Sequence, residues 1–312
     1  MNEPDFEIND RWIISCRGKK NTVDPSKPYF YLSEKERTLE GLIEDTSVVF
    51  ITNRECPYRC LMCDLWKNTT DDPVAPGLVP GQIEWALTNL PRARHLKLYN
   101  SGSFFDRGAI PEPDHREIAR IISGFSSVVV ESHPRHIDDR CLHLRDMLAP
   151  QLHVAMGLET AHPGILRRLN KKMDLQDFGR AARFLKKNQI PVRAFILLRP
   201  PFLSEEEGIY WAGRSIDFAF DSGAECCIII PVRAGNGAMD ILADRGYFHA
   251  PSIKSLEKVV EYGLSLRAGR VFADLWDIEK FSSCIVCADQ RIERLEVMNY
   301  SQEIVPPVLC SC

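Results

Sequence analysis

Cys56-Pro-Tyr-Arg-Cys60-Leu-Met-Cys63 places three thiols in eight residues, three and then two residues apart. Thiolates are soft ligands of the kind that iron–sulfur clusters select. A loop can wrap a small inorganic object, and this loop offers three sulfurs to the four irons of a cubane cluster. One iron is then left without a protein ligand, and an open coordination position is where chemistry can happen. A zinc knuckle completed by a fourth ligand from elsewhere is the plainer alternative. Pro57, Leu61 and Met62 favour the cluster, because they give the loop an apolar wall.

Other polar groups recur where apolar runs end. Asn100-Ser101-Gly102-Ser103 combines a glycine, which lets backbone approach a ligand, with hydroxyls that can bond an ammonium group. Glu131 and Glu159 each follow an apolar run, and an ordinary capping or solvated acid is the alternative for both. Arg199 precedes two prolines that force a rigid turn; a structural ion pair is as good a reading as a ligand contact. Cys284, Cys287, Cys310 and Cys312 have the spacing of a four-thiolate site, for zinc or a second cluster, with free thiols as the alternative. Arg17-Gly-Lys-Lys20 reads as a solvated basic turn.

These residues need positioning elements. Ser47–Thr52 is an apolar run of strand length, and the cysteine loop follows it. His95–Tyr99, Ser127–Glu131, Leu152–Glu159, Val192–Leu198 and Glu225–Pro231 continue the series. Helical patterns at Pro80–Leu90, His115–Ser123, Asp138–Leu148, Leu175–Asn188, Ser204–Ser222 and Ile253–Arg267 alternate with them; Ser204 and Glu207 form a capping box. The alternation implies parallel βαβ units. Six units predict an α/β fold, a partial (β/α)6 TIM-type barrel, with an open doubly wound sheet as the alternative. In both, ligands bind at the carboxyl ends of the strands. Residues 1–45 are expected to be an N-terminal extension, 46–270 the barrel, and 271–312 a small cysteine-containing appendage.

Composition excludes several classes. The formal net charge of −4 gives no general drive toward nucleic acid. No apolar run has membrane-spanning length, and Met1–Asp10 is too polar for a secretory signal, so a cytoplasmic protein is expected. Eleven cysteines, an odd number, argue against a disulfide framework. Cys226 and Cys227 read as small buried hydrophobes.

The CxxxCxxC loop resembles the signature of the radical S-adenosylmethionine (SAM) superfamily. Met62 stands where that pattern usually has an aromatic residue. With Tyr99–Asp106, Gly157–Thr160, Arg199–Glu205 and the last cysteines, the chain is similar to the Elongator-catalytic-subunit branch. Within it, the chain looks most like the radical SAM subunit of archaeosine synthase and its uncharacterised relatives. The resemblance implies a [4Fe–4S] cluster on Cys56, Cys60 and Cys63. It also implies SAM held by Asn100, Ser101, Gly102, Ser103, Glu131, Glu159 and Arg199, although the usual Gly-Gly-Glu is absent. It further implies SAM cleavage to a 5′-deoxyadenosyl radical, a flavodoxin- or ferredoxin-type reductant, and carbon–nitrogen bond cleavage in tRNA with a partner subunit. A small metabolite or peptide as substrate, or a non-catalytic zinc- or RNA-binding role, are the alternatives.

Overall fold

The computed structural model describes residues 6–312, so Met1–Asp5 of the acidic start lie outside the described residues. Eight strands form one sheet in sequence order: β1 (Phe30–Arg37), β2 (Ile43–Ile51), β3 (His95–Asn100), β4 (Ser127–Glu131), β5 (Gln151–Glu159), β6 (Val192–Leu198), β7 (Cys226–Pro231) and β8 (Arg270–Ala273). β1 is antiparallel to β2, and every later pair is parallel. Helices such as Leu78–Asn89, Leu175–Lys187, Glu205–Ser222 and Ile253–Ser265 cover the outside. The sheet is a TIM-type partial barrel of the α/β class, as the strand–helix alternation implied.

Alternation along each strand divides the two faces. Leu96 and Leu98 of β3, Val128 and Val130 of β4, and Ile196 of β6 meet the helices in one continuous apolar core. The intervening residues face the lumen, as contacts between non-neighbouring strands show. The ring of Tyr99 of β3 lies 6.4 Å from that of Phe195 of the non-adjacent β6, and Phe50 of the neighbouring β2 adds its ring 5.7 Å from Tyr99. Nearer the amino ends of the parallel strands, Glu36 of β1 pairs with Lys97 of β3 and bidentately with Arg193 of β6, at 2.6 and 3.0 Å.

Two strands add to the six that the sequence suggested. β1 lies within the lead-in, and its second half, Ser33-Glu-Lys-Glu-Arg37, carries charge because that charge is used inside the barrel. β8 is four residues long and is followed by a helix, Ala288–Ser301, that the sequence did not signal. The edge strands are bridged rather than hydrogen-bonded as strands. Arg270 donates to the Arg37 carbonyl at 2.6 Å, and Phe30 meets Trp276 edge-on at 5.5 Å. Among the described residues, no helix is long and apolar enough to cross a membrane. Cys226 and Cys227 are fully buried, as expected of small hydrophobes.

Candidate active site

The cysteine loop begins five residues after β2 and is held at the carboxyl rim from several directions. Leu61 is fully buried in a second apolar cluster with Ile165, Leu169, Leu197 and Met239, and its N–H bonds the Leu169 carbonyl at 2.9 Å. Leu61 is therefore an anchor, and only Met62 of that pair stays partly exposed. Asn236, 5% exposed, donates to the Leu61 and Cys63 carbonyls at 2.8 and 3.1 Å and accepts from the Met239 N–H. The loop after β7 thus clamps the cysteine loop through its asparagine. Glu55, beside Cys56, gathers Arg17, Lys20 and Arg59 at 2.7, 2.8 and 3.3 Å. The basic turn near the amino end is accordingly a partner of the site's acid and not a free patch.

The loop after β3 closes over the same place. Asn53, fully buried, bonds both the N–H and the carbonyl of Ser101 at 3.2 Å. Ser103 Oγ accepts from the His133 N–H at 2.8 Å, tying this loop to the end of β4. Gly102 has φ +129, and a Cβ there would stand 3.3 Å from Cys56 Cβ and 3.5 Å from its Sγ. This backbone needs glycine both for its torsion and for its approach to the thiol. Gly102→Ala is expected to lower stability by about 1–3 kcal/mol from strain and to displace Cys56. The readout is iron bound per chain after anaerobic reconstitution, which should fall well below wild type while the fold survives. Full iron loading would show that the close approach is incidental.

Glu159 ends β5 with φ +66 and pairs with Lys171 at 2.5 Å, both side chains nearly buried. A side chain at Gly157 would overlap this pair. Lys171 carries positive charge toward Cys56 and Cys60. His133 stacks on Tyr58 with ring centroids 4.0 Å apart. Its Nε2–H donates to the Lys171 carbonyl at 2.9 Å and its Nδ1 accepts from the Arg135 N–H, which fixes a neutral tautomer. Burial, with the Lys171 charge adding, pushes its pKa down to about 3. Arg199 pairs with Glu205 at 2.5 Å and donates to the Ala250 carbonyl at 2.9 Å. The amide Oδ1 and Nδ2 of Asn100, 1% exposed, have no partner. Asn100 shares the face of Leu96 and Leu98, so its amide stands at the barrel wall.

Glu131 lies beside Tyr99 on the lumen face, and burial pushes its pKa up to about 8 against a main-chain bond from Asn100 and the Lys171 charge. The folded chain keeps this proton up to about pH 8, whereas the ordinary value is 4.5. The native state then binds more protons than the unfolded one between those values. Stability therefore falls as pH rises across that window, by up to ~1.4 kcal/mol per pH unit from this group. Glu131→Gln is expected to remove that contribution, which denaturant unfolding of SAM-free protein at several pH values measures. Parallel wild-type and variant curves would refute it.

Burial also raises the thiols, Cys56 to about 11 and Cys60 and Cys63 to about 12. The donor set suits the cluster that the spacing implied: three sulfurs on one loop and a glycine cradle against Cys56. The fold and this loop together resemble those of radical SAM enzymes, a class whose cofactors are a [4Fe–4S] cluster and SAM.

No family model matches the chain. It is similar to archaeosine synthase subunit beta of Methanosarcina acetivorans, with 26% identity over 237 residues, 71% of this chain and 68% of that one. An uncharacterised protein of Methanocaldococcus jannaschii is 22% identical over 259 residues, 78% of this chain and 71% of that one. Among solved structures, Elp3 of Methanocaldococcus infernus superimposes with a TM-score of 0.54 at 14% identity, over 80% of this chain and 63% of that one. Methylornithine synthase gives 0.56 at 16%, over 81% and 69%. These two likenesses concern the fold.

Asn236, Asn53, Lys171, His133 and Glu55 are the positioning residues that sequence reasoning did not single out for a role. Only their nearness to the cysteines gives Lys171 and Glu55 meaning.

Proposed function

We propose that Cys56, Cys60 and Cys63 hold the [4Fe–4S] cluster. The Asn100–Ser103 loop, Glu131 and Glu159 are proposed to bind SAM beside it, and the enzyme to modify tRNA. When bound, the cluster and SAM supply an electron and the 5′-deoxyadenosyl radical that abstracts hydrogen. The chain's own residues hold, orient and shield. Asn236 and Leu61 fix the loop, Gly102 brings main chain against Cys56, and the Lys171–Glu159 pair sets charge beneath the thiols. Arg199 is held by Glu205, so in this proposal it shapes the rim and reaches SAM only by exchanging that partner.

The observation that carries the RNA reading is similarity to an archaeosine synthase subunit across 71% of this chain. That relative's name makes it one subunit of an assembly, and a partner subunit is proposed here too. A flavodoxin- or ferredoxin-type protein is the proposed electron donor. The test has two stages. Reconstituted protein with SAM and a reductant should release 5′-deoxyadenosine; none released sinks the enzyme reading. Total tRNA from a deletion strain should then lack one modified nucleoside present in wild type. Identical nucleosides alongside an altered metabolite pool would move the substrate to a small molecule.

A further inference from the structure

The last four cysteines converge on one point. Cys284 and Cys287 lie on the turn before helix Ala288–Ser301, and Cys310 and Cys312 on the irregular segment after it. Cys284 Sγ is 3.9 Å from Cys310 Sγ, and Cys287 Sγ is 3.6 Å from Cys312 Sγ. All four sulfurs lie within 4.8 Å of one another. We propose that they hold a single zinc ion as a closed four-thiolate site that clips residues 302–312 to the edge of the barrel.

Size decides between the ion and a second cluster. Zinc–sulfur bonds of about 2.3 Å in a tetrahedron place ligand sulfurs about 3.8 Å apart. The two measured pairs bracket that value. The cysteines of a cubane cluster each bind a different iron, so their sulfurs stand wider than those around one ion. The pairs are also well beyond the ~2.05 Å of a disulfide.

Burial does not account for the convergence. Ile285 and Val286 at the tip of the first turn are 95% and 79% exposed, and Leu309 is 91% exposed. Residues 303–312 form neither helix nor strand. Val305 packs against the core, and Arg294 and Arg291 hold the Val305, Pro306 and Val308 carbonyls. These ties stop short of Cys310 and Cys312, and a structural metal is what brings such a segment onto Cys284 and Cys287 in small appendages.

Charge points the same way. A dication on four thiolates leaves a net −2, which needs nearby donors. Arg291, 6% exposed, donates its Nε–H to Cys287 Sγ at 3.2 Å while its Nη1 pairs with Glu257. Its Nη2 reaches the Val308 carbonyl at 3.3 Å, and Lys254 contacts the Cys312 carbonyl. With four protein ligands, no coordination position is open, so the site holds structure and does no chemistry. What it holds is the seam. The clipped helix receives Arg37 of β1 on its Tyr300 carbonyl and bonds β8 through Asn299.

Anaerobically purified full-length protein, assayed for zinc, iron and sulfide, tests this. One zinc per chain is expected beyond the iron, unchanged in Cys56→Ala and absent in Cys310→Ala/Cys312→Ala, which keeps its iron. Cobalt-loaded wild-type protein should show the d–d bands of a tetrahedral thiolate site, a readout that needs no variant to fold. The proposal is overturned by iron and sulfide that fall with Cys310→Ala/Cys312→Ala, by zinc that persists in it, by wild-type protein without zinc, or by disulfides among these residues.

Discussion

Replacing any one of Cys56, Cys60 or Cys63 by alanine should leave protein that cannot be reconstituted to the brown form and releases no 5′-deoxyadenosine from SAM. Three sulfurs are all that the loop offers to the cluster. Asn236 and Leu61 hold the loop's main chain independently of the sulfurs, so each variant should still fold. Loss of activity is then loss of the cluster, not of the protein. Circular dichroism and thermal unfolding check the fold, iron and sulfide assays check the cluster, and product analysis checks the chemistry. Cys141→Ala is the control: that thiol is fully buried in the main core, and its removal should lower stability modestly with iron content intact. A Cys60→Ala protein that keeps its colour and cleaves SAM would defeat the assignment.

Parts of the molecule differ in how plainly the chain declares them. β2 to β7 are legible because their outer faces are apolar and meet helices, while their lumen faces mix apolar residues such as Val48, Phe195 and Ile228 with polar ones such as Lys97 and Arg193. The cysteine loop is legible because its ligands are contiguous. The clamps are not. Asn236 lies 175 residues from Leu61, and Asn53 lies 48 from Ser101, so one sequence gives no sign of either bond. Arg17 and Lys20 look like a solvated turn until Glu55 is placed between them. β1 is hidden most thoroughly. Its later residues have the composition of a surface strand, and their partners Lys97 and Arg193 come 61 and 157 residues from Glu36. An alternation rule that expects apolar residues on the buried face passes over a strand whose buried face is ionic.

That ionic face carries the second large expected effect. Glu36→Gln should lower stability by about 3–5 kcal/mol near neutral pH, the usual result of removing one member of a buried ion pair. Arg193, 5% exposed, then loses both of its bonds to Glu36, while Lys97 keeps Glu34 at 2.6 Å. The stranded guanidinium is the main loss. Burial alone would raise the Glu36 carboxyl, but Arg193 and then Lys97 overcome it and hold its pKa well below the ordinary 4.5. The folded state therefore keeps this charge where the unfolded chain gains a proton. The contribution is fully present above the ordinary carboxylate range and is lost as pH falls below it. The gap between wild type and Glu36→Gln should thus be widest near neutral pH and close on acidification, as denaturant unfolding at several pH values would record. Adding Arg193→Met to Glu36→Gln removes the stranded charge and should restore much of the loss, since an apolar side chain can replace a buried pair at little net change. A gap that does not vary with pH, or a double variant no better than the single one, would place the stability in the shape of β1 and not in its charge.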